Sequence, residues 1–237
     1  MNVSSRATSE SPLRIGMLLF PKCTQLDYTG PFEVFARMPN VVIYNLWKET
    51  GPVVTDRGLA IQANATLSDC PQLDVVFVPG GPGQELLMDD QEVLRFLKEQ
   101  SERATFVTAV CTGSLVLGAA GLLRGYAATS HWSAVALLSA FGATPVAERI
   151  VIDRNRVTGG GVTAGIDFGL RLAAEFYGPQ TAQEIQLQME YNPQPPYDSG
   201  TPSKASTEVL EAVRLRTRAL AEQRARTAER FRDRFGI

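Results

Sequence analysis

Four short apolar runs, each of strand length, alternate with stretches of helical periodicity. This alternation constrains the fold more than any other feature of the chain. The runs are Leu13–Phe20, Val41–Trp47, Asp74–Pro79 and Thr105–Val110. They are continuous rather than alternating in polarity, the pattern of strands covered on both faces. Helical patterns fall around them. Phe32–Met38 follows Thr29-Gly30-Pro31, which places Pro31 at the first helical position. Glu92–Glu99 sets Val93, Phe96 and Leu97 on one face, and Ser114–Leu123 and Ser133–Phe141 are followed by Gly125 and Gly142. Such βαβ units predict an α/β sandwich with a mostly parallel sheet. Further on, Ile150–Ile152 and Arg156–Thr158 flank Asp153-Arg154-Asn155 as a hairpin, and helices are expected over Thr163–Tyr177 and Thr181–Glu190.

The boundaries follow from composition. Residues 1–12 are polar and lack the apolar stretch of a secretory signal, so they read as a flexible tail before a catalytic domain at 13–203. Asn192–Pro202 holds four prolines and must run over the surface. From Lys204 to Ile237 nine Lys/Arg stand against five Asp/Glu, a local charge of +4, while the rest of the chain carries 14 − 20 = −6. Leu210, Val213, Leu220 and Phe231 recur there at helical spacing. The expectation is one amphipathic helix over 204–237, docked by its apolar face on the acidic domain or on a dimer partner.

Several functions are excluded early. A net charge of −2 advertises neither nucleic acid nor an anionic membrane, and no apolar run approaches the ~20 residues of a membrane span. The basic tail is too short for a helix-turn-helix domain. Three scattered cysteines, Cys23, Cys70 and Cys111, suit neither a disulfide framework nor a zinc motif and point to the reducing cytoplasm. With His131 as the one histidine, every multi-histidine metal site is ruled out; neither metal nor cofactor is expected.

In Ala109-Val-Cys111-Thr-Gly-Ser114 an apolar strand meets a cysteine and then a helix, the arrangement of a nucleophile elbow at the carboxyl edge of a sheet. A ligand crevice opens on that edge in doubly wound folds. The helix terminus would stabilise a thiolate, with a pKa near ~6 making Cys111 mostly ionised; a buried cysteine that fills space is the alternative. Cys23 and Cys70 lack this context and read as structural. Val78-Pro-Gly80-Gly81-Pro-Gly83 ends the preceding strand on the same edge. The amides of Gly80 and Gly81 could form half of an anion hole, and that of Thr112 the other half, although a plain turn also fits. Asp27, in Gln25-Leu-Asp27-Tyr-Thr-Gly-Pro31, is either a turn cap or a proton shuttle beside Cys111, and a neighbouring anionic sulfur would raise its pKa. His131, in Ser130-His131-Trp132, is either a packed ring or the base of a Cys–His pair. Gly159–Gly165 reads as tight backbone packing, with Val162 walling a pocket.

Together, Ala109–Leu123, Gln25–Pro31, Val78–Gly81 and Gly159–Asp167 resemble the ThiJ/PfpI superfamily, and within it the isocyanide hydratase branch. The resemblance runs from about Leu13 through Tyr191–Pro196. It implies a flavodoxin-like fold, a homodimer, a nucleophilic Cys111, an acid–base Asp27 and no firm role for His131. The same branch includes amidotransferase-like domains of transcription regulators. The substrate implied is a small, uncharged isocyanide, apolar in its R group, so no cationic clamp is expected in the pocket. Water would be added through a cysteine thioimidate to give an N-substituted formamide. The alternatives are another cysteine-dependent activity of glyoxalase or hydrolase type, or a non-catalytic redox or ligand sensor.

Overall fold

The computed structural model describes residues 11–237; all but the last two residues of the expected N-terminal tail lie outside the described residues. The elements run β1 (Leu13–Leu18), α1 (Gln25–Phe35), β2 (Val41–Trp47), β3 (Gly51–Val54), β4 (Ala60–Ala63), β5 (Ala65–Thr66), β6 (Val75–Val78) and α2 (Gln84–Leu87). They continue with α3 (Gln91–Ser101), β7 (Phe106–Val110), α4 (Gly113–Ala119), β8 (Ala127–Ala128), a 3-10 helix (Val135–Phe141) and β9 (Thr144–Pro145). The chain ends with β10 (Ile150–Asp153), β11 (Arg156–Gly159), α5 (Ala164–Gln188) and α6 (Thr207–Phe235).

Seven strands form the central sheet in the order β10-β11-β7-β6-β1-β2-β5, and only β10 is antiparallel to its neighbour. Counted in chain order, the five long parallel strands β1, β2, β6, β7 and β11 lie 2-1-3-4-5. That is the flavodoxin-like order, and its switch point falls between β1 and β6. Every residue of β6, β7 and β11 is buried, which explains why the β6 and β7 runs carry no polar alternation. Helices α1 and α5 pack together as one layer; α2, α3, α4, the 3-10 helix and α6 make the other.

The departures from expectation have local causes. Helix α1 starts at Gln25, so Pro31 stands inside it rather than at its first position. Burial of Tyr28, Val34 and Phe35 outweighs the one hydrogen bond that the proline ring removes. The expected α-helix at Ser133–Phe141 is instead a 3-10 helix, closed by left-handed Gly142 as foreseen. The two helices expected near 163–190 form one element broken at Gly178 (φ 85°, ψ 164°) before Pro179. Residues 51–66, which have no clean apolar run, form the β3–β4 hairpin and the edge strand β5.

Helix α6 has 29 residues, roughly 43 Å at 1.5 Å per residue. Ser206 caps its N-terminus by accepting the Val209 N–H. Its first half is largely exposed, whereas Arg224, Thr227, Ala228 and Phe231 are buried against the domain. Phe231 stacks on Phe141 of the 3-10 helix with ring centroids 5.4 Å apart, Thr227 Oγ1 donates to Glu85 Oε2 at 2.9 Å, and Arg230 pairs with Asp89 at 2.8 Å. The anchor of the helix is therefore apolar. Phe231→Ala is expected to cost about 3–5 kcal/mol of stability in urea or thermal unfolding, whereas Arg230→Ala, which removes an exposed pair, is expected to cost under about 1 kcal/mol.

Candidate active site

Three loops leave the carboxyl edge of the sheet side by side: β1 leads to Asp27, β6 to Gly80 and Gly81, and β7 to Cys111. Cys111 adopts φ +53°, a left-handed conformation that costs a non-glycine residue about 1–3 kcal/mol. The surroundings hold it there. Its N–H donates to the Gly159 and Gly160 carbonyls at 3.0 and 2.9 Å, and its own carbonyl accepts Ser114 Oγ at 3.0 Å and Ser130 Oγ at 2.8 Å. The β6 and β7 loops meet at two glycines. A Cβ on Gly80 would come within 2.6 Å of the Thr112 nitrogen and 2.8 Å of Cys111 Cβ, and one on Gly113 within 2.2 Å of the Val78 carbonyl oxygen. The β6 and β7 loops thus interlock through bare backbone, and the elbow expected from sequence is formed.

Asp27 is fully buried, and neither carboxyl oxygen completes a hydrogen bond of normal geometry. Desolvation pushes its pKa up from the ordinary 3.8 to about 7, opposed by the nearby Cys111 thiol and Gly80 amide, which favour the anion. Burial also pushes the Cys111 thiol well above its usual range; the Asp27 charge adds to the rise, while the Thr112 amide and Arg224 work against it. The low thiol pKa expected from the helix terminus is not realised. Helix α4 has only seven residues, and its field is outweighed by the loss of water around the sulfur. Cys111 and Asp27 are therefore one coupled pair that resists carrying two negative charges.

A cavity of about 500 Å³ opens at Cys111 and Thr112. Its walls include Leu26, Gly81, Trp132, Val162 and His131, together with Val213, Thr217, Leu220, Ala221 and Arg224 from α6. An outer groove of about 700 Å³ shares Trp132, Ser133, Thr217 and Ala221 with it and leads along α6 to the surface. Among the described residues no cluster of three His, Cys, Asp or Glu side chains is placed to hold a metal ion.

The remaining sequence candidates divide. Val162 lines the cavity, and the Thr112 amide faces the Cys111 sulfur. Gly80 faces Asp27, but the Gly81 N–H is donated to Thr112 Oγ1 at 3.1 Å; it ties the two loops together instead of contributing to an anion hole. The Cys–His pair is not formed. His131 Nδ1 bonds Ser133 Oγ at 2.8 Å, the ring packs on Gly161 and Trp132, and burial pulls its pKa down to about 4, so it is a neutral wall. Cys23 and Cys70 are free thiols raised by burial to about 11 and about 12, in keeping with structural roles. Two contributions were missed from sequence: the Ser114 and Ser130 hydroxyls behind the elbow, and Arg224. A serine three residues past the cysteine was a signal for the first. Nothing in a basic amphipathic repeat separated Arg224 from the other arginines of α6.

Residues 13–175 match the DJ-1/PfpI family, and the chain belongs to it. Isonitrile hydratase of Pseudomonas putida is 50% identical over 218 residues, spanning 92% of this chain and 96% of that protein. A ThiJ/PfpI family protein from Pseudomonas syringae superposes with a TM-score of 0.90 at 43% identity, covering 92% of this chain and 91% of the other. The HTH-type transcriptional regulator GbdR of Pseudomonas aeruginosa is 32% identical over 77% of this chain, which spans 52% of that regulator.

Because the folded pKa of Asp27 is raised, stability is full below its unfolded value and is lost as pH climbs from 3.8 through about 7. Above that range the buried carboxylate costs on the order of 4 kcal/mol. Asp27→Asn is thus expected to raise the thermal midpoint at pH 8 relative to the parent protein, with the gain fading as pH falls towards about 4. Melting curves across that range check it.

Proposed function

We propose that this chain is an isocyanide hydratase, adding water to R–N≡C to release an N-substituted formamide. The observation that carries the reading is the buried Asp27 carboxyl, with a pKa raised to about 7 and set against the sulfur of Cys111, which lines the cavity, in a chain half identical to an isonitrile hydratase over nearly its whole length. The chemistry demands such a pair. The isocyanide carbon is attacked by sulfur and must then gain a proton at that same carbon.

With one proton shared in the pair, Asp27 takes the thiol proton as Cys111 attacks and delivers it to the former isocyanide carbon. The product is the thioimidate R–N=CH–S–Cys111, with Asp27 now a carboxylate. Asp27 next removes a proton from water as its oxygen bonds to this carbon, and passes that proton to nitrogen. Collapse of R–NH–CH(OH)–S–Cys111 forms the carbonyl, expels the thiolate and sends the hydroxyl proton to Asp27. The pair is then restored with its single proton. The Thr112 amide steadies charge on the sulfur. No cofactor takes part. The enzyme works as a cytoplasmic homodimer, a reading supported by its free thiols and by the family resemblance.

The test is formamide release from a simple aryl isocyanide. Cys111→Ala is expected to abolish it and Asp27→Asn to slow it by about 10²–10⁴, while mass spectrometry during turnover finds one substrate mass on Cys111. Full activity in Cys111→Ala removes the mechanism. Below about pH 7 the pair holds two protons and the sulfur is not activated, so kcat/KM is expected to fall roughly tenfold per pH unit on the acid side.

A further inference from the structure

The pocket of an enzyme for small apolar isocyanides needs no cation, yet Arg224 stands in its wall beside Cys111. The side chain reaches in from α6, whose buried end is pinned on the domain by Phe231 and Thr227. Only 8% of Arg224 is exposed, Nε is buried without a partner, and no hydrogen bond or ion pair joins its guanidinium to another described residue. An aromatic ring does not take the charge either: the arginines stacked on rings are Arg154, Arg156 and Arg234.

A guanidinium offers five donors in a planar fork, and leaving them unmatched in a buried wall is costly. Two acids sit in the neighbourhood without filling the fork. Glu85 acts on Arg224 only through space, its oxygens already accepting Gln84 Nε2 at 2.7 Å and Thr227 Oγ1 at 2.9 Å. Asp27 belongs to the catalytic pair. Asp56, which lines the cavity, is bonded to Thr24 and paired with Arg57, and its charge acts on Asp27 and Cys23 and not on Arg224. The unpartnered guanidinium therefore forms part of the cavity wall.

We infer that the preferred substrates are isocyanides whose R group ends in a carboxylate, with Arg224 gripping that carboxylate while Cys111 meets the isocyanide carbon. This rests on the hydratase reading. Fork-to-fork pairing with a carboxylate satisfies two donors at once, which a purely hydrocarbon R group leaves empty. Leu220, Val213 and Val162 then clasp the hydrocarbon between the two ends. Arg224 determines specificity, and the bond-making steps do not pass through it.

The experiment compares kcat/KM for phenyl isocyanide, its 3- and 4-carboxylates and their methyl esters, in the parent protein and in Arg224→Met and Arg224→Lys. The expected result is a preference of at least about thirtyfold for one carboxylate over its ester, the worth of a buried charged pair. That preference collapses in Arg224→Met and returns in part in Arg224→Lys. No preference in the parent protein overturns the proposal. So does a preference that survives Arg224→Met, or an equal loss for all substrates, which would make Arg224 a support for the sulfur. Calorimetry with the products, 3- and 4-formamidobenzoate against formanilide, reads the same grip without turnover. If no isocyanide is hydrated, the hydratase reading fails, while Arg224-dependent binding of a carboxylate product still upholds the grip and its absence removes it.

Discussion

Two protonatable side chains pressed together away from water dominate this molecule. Burial pushes both Cys111 and Asp27 towards their protonated forms, and the Asp27 charge raises the thiol further, while the thiol's contact favours the Asp27 anion. Left in solvent, the carboxyl would be a spectator at neutral pH and the thiol a weak nucleophile. In the proposed mechanism they hold a mobile proton at the point where a substrate carbon must both bond to sulfur and become protonated. The rest of the architecture keeps this pair dry and aligned.

The sheet order does the aligning. Because β1 and β6 are neighbours and β7 follows directly, three loops far apart in sequence emerge within reach of one another. The chain reverses its winding direction between β1 and β6, so the helices diverge there and leave room for a ligand. Backbone contact at Gly80 and Gly113 locks the second loop to the third, and hydroxyls from Ser114 and Ser130 brace the strained Cys111 peptide from behind. The strain at φ +53° is sustained by at least four hydrogen bonds, none of which involves the sulfur.

The sequence made the sheet legible because β6 and β7 are buried on both sides, and continuous apolar runs leave little ambiguity. It made the elbow legible because a cysteine stands directly between an apolar strand and a small-residue helix, a pattern that a space-filling thiol also fits. The β3–β4 hairpin was obscured by Pro52 and by exposed residues such as Val54 and Leu59, which break any simple pattern. The start of α1 was masked by Gly30 and Pro31, residues that look like a helix boundary but are tolerated by packing. The sulfur's ionisation was misjudged because helix termini are visible in a sequence and desolvation is not. Arg224 shows the same limit: its environment is set by α6 folding back over residues 85–141, a distance no local pattern encodes.

The two halves of α6 have unequal lives. One end is clamped by an aromatic contact, while the other runs outward past the groove with little holding it down. The cavity's outer wall is consequently separable from its floor. Substitutions along that helix can reshape which molecules are admitted without disturbing the interlocked loops where bonds change, so a lineage built on this scaffold could diversify its diet one side chain at a time and keep its chemistry.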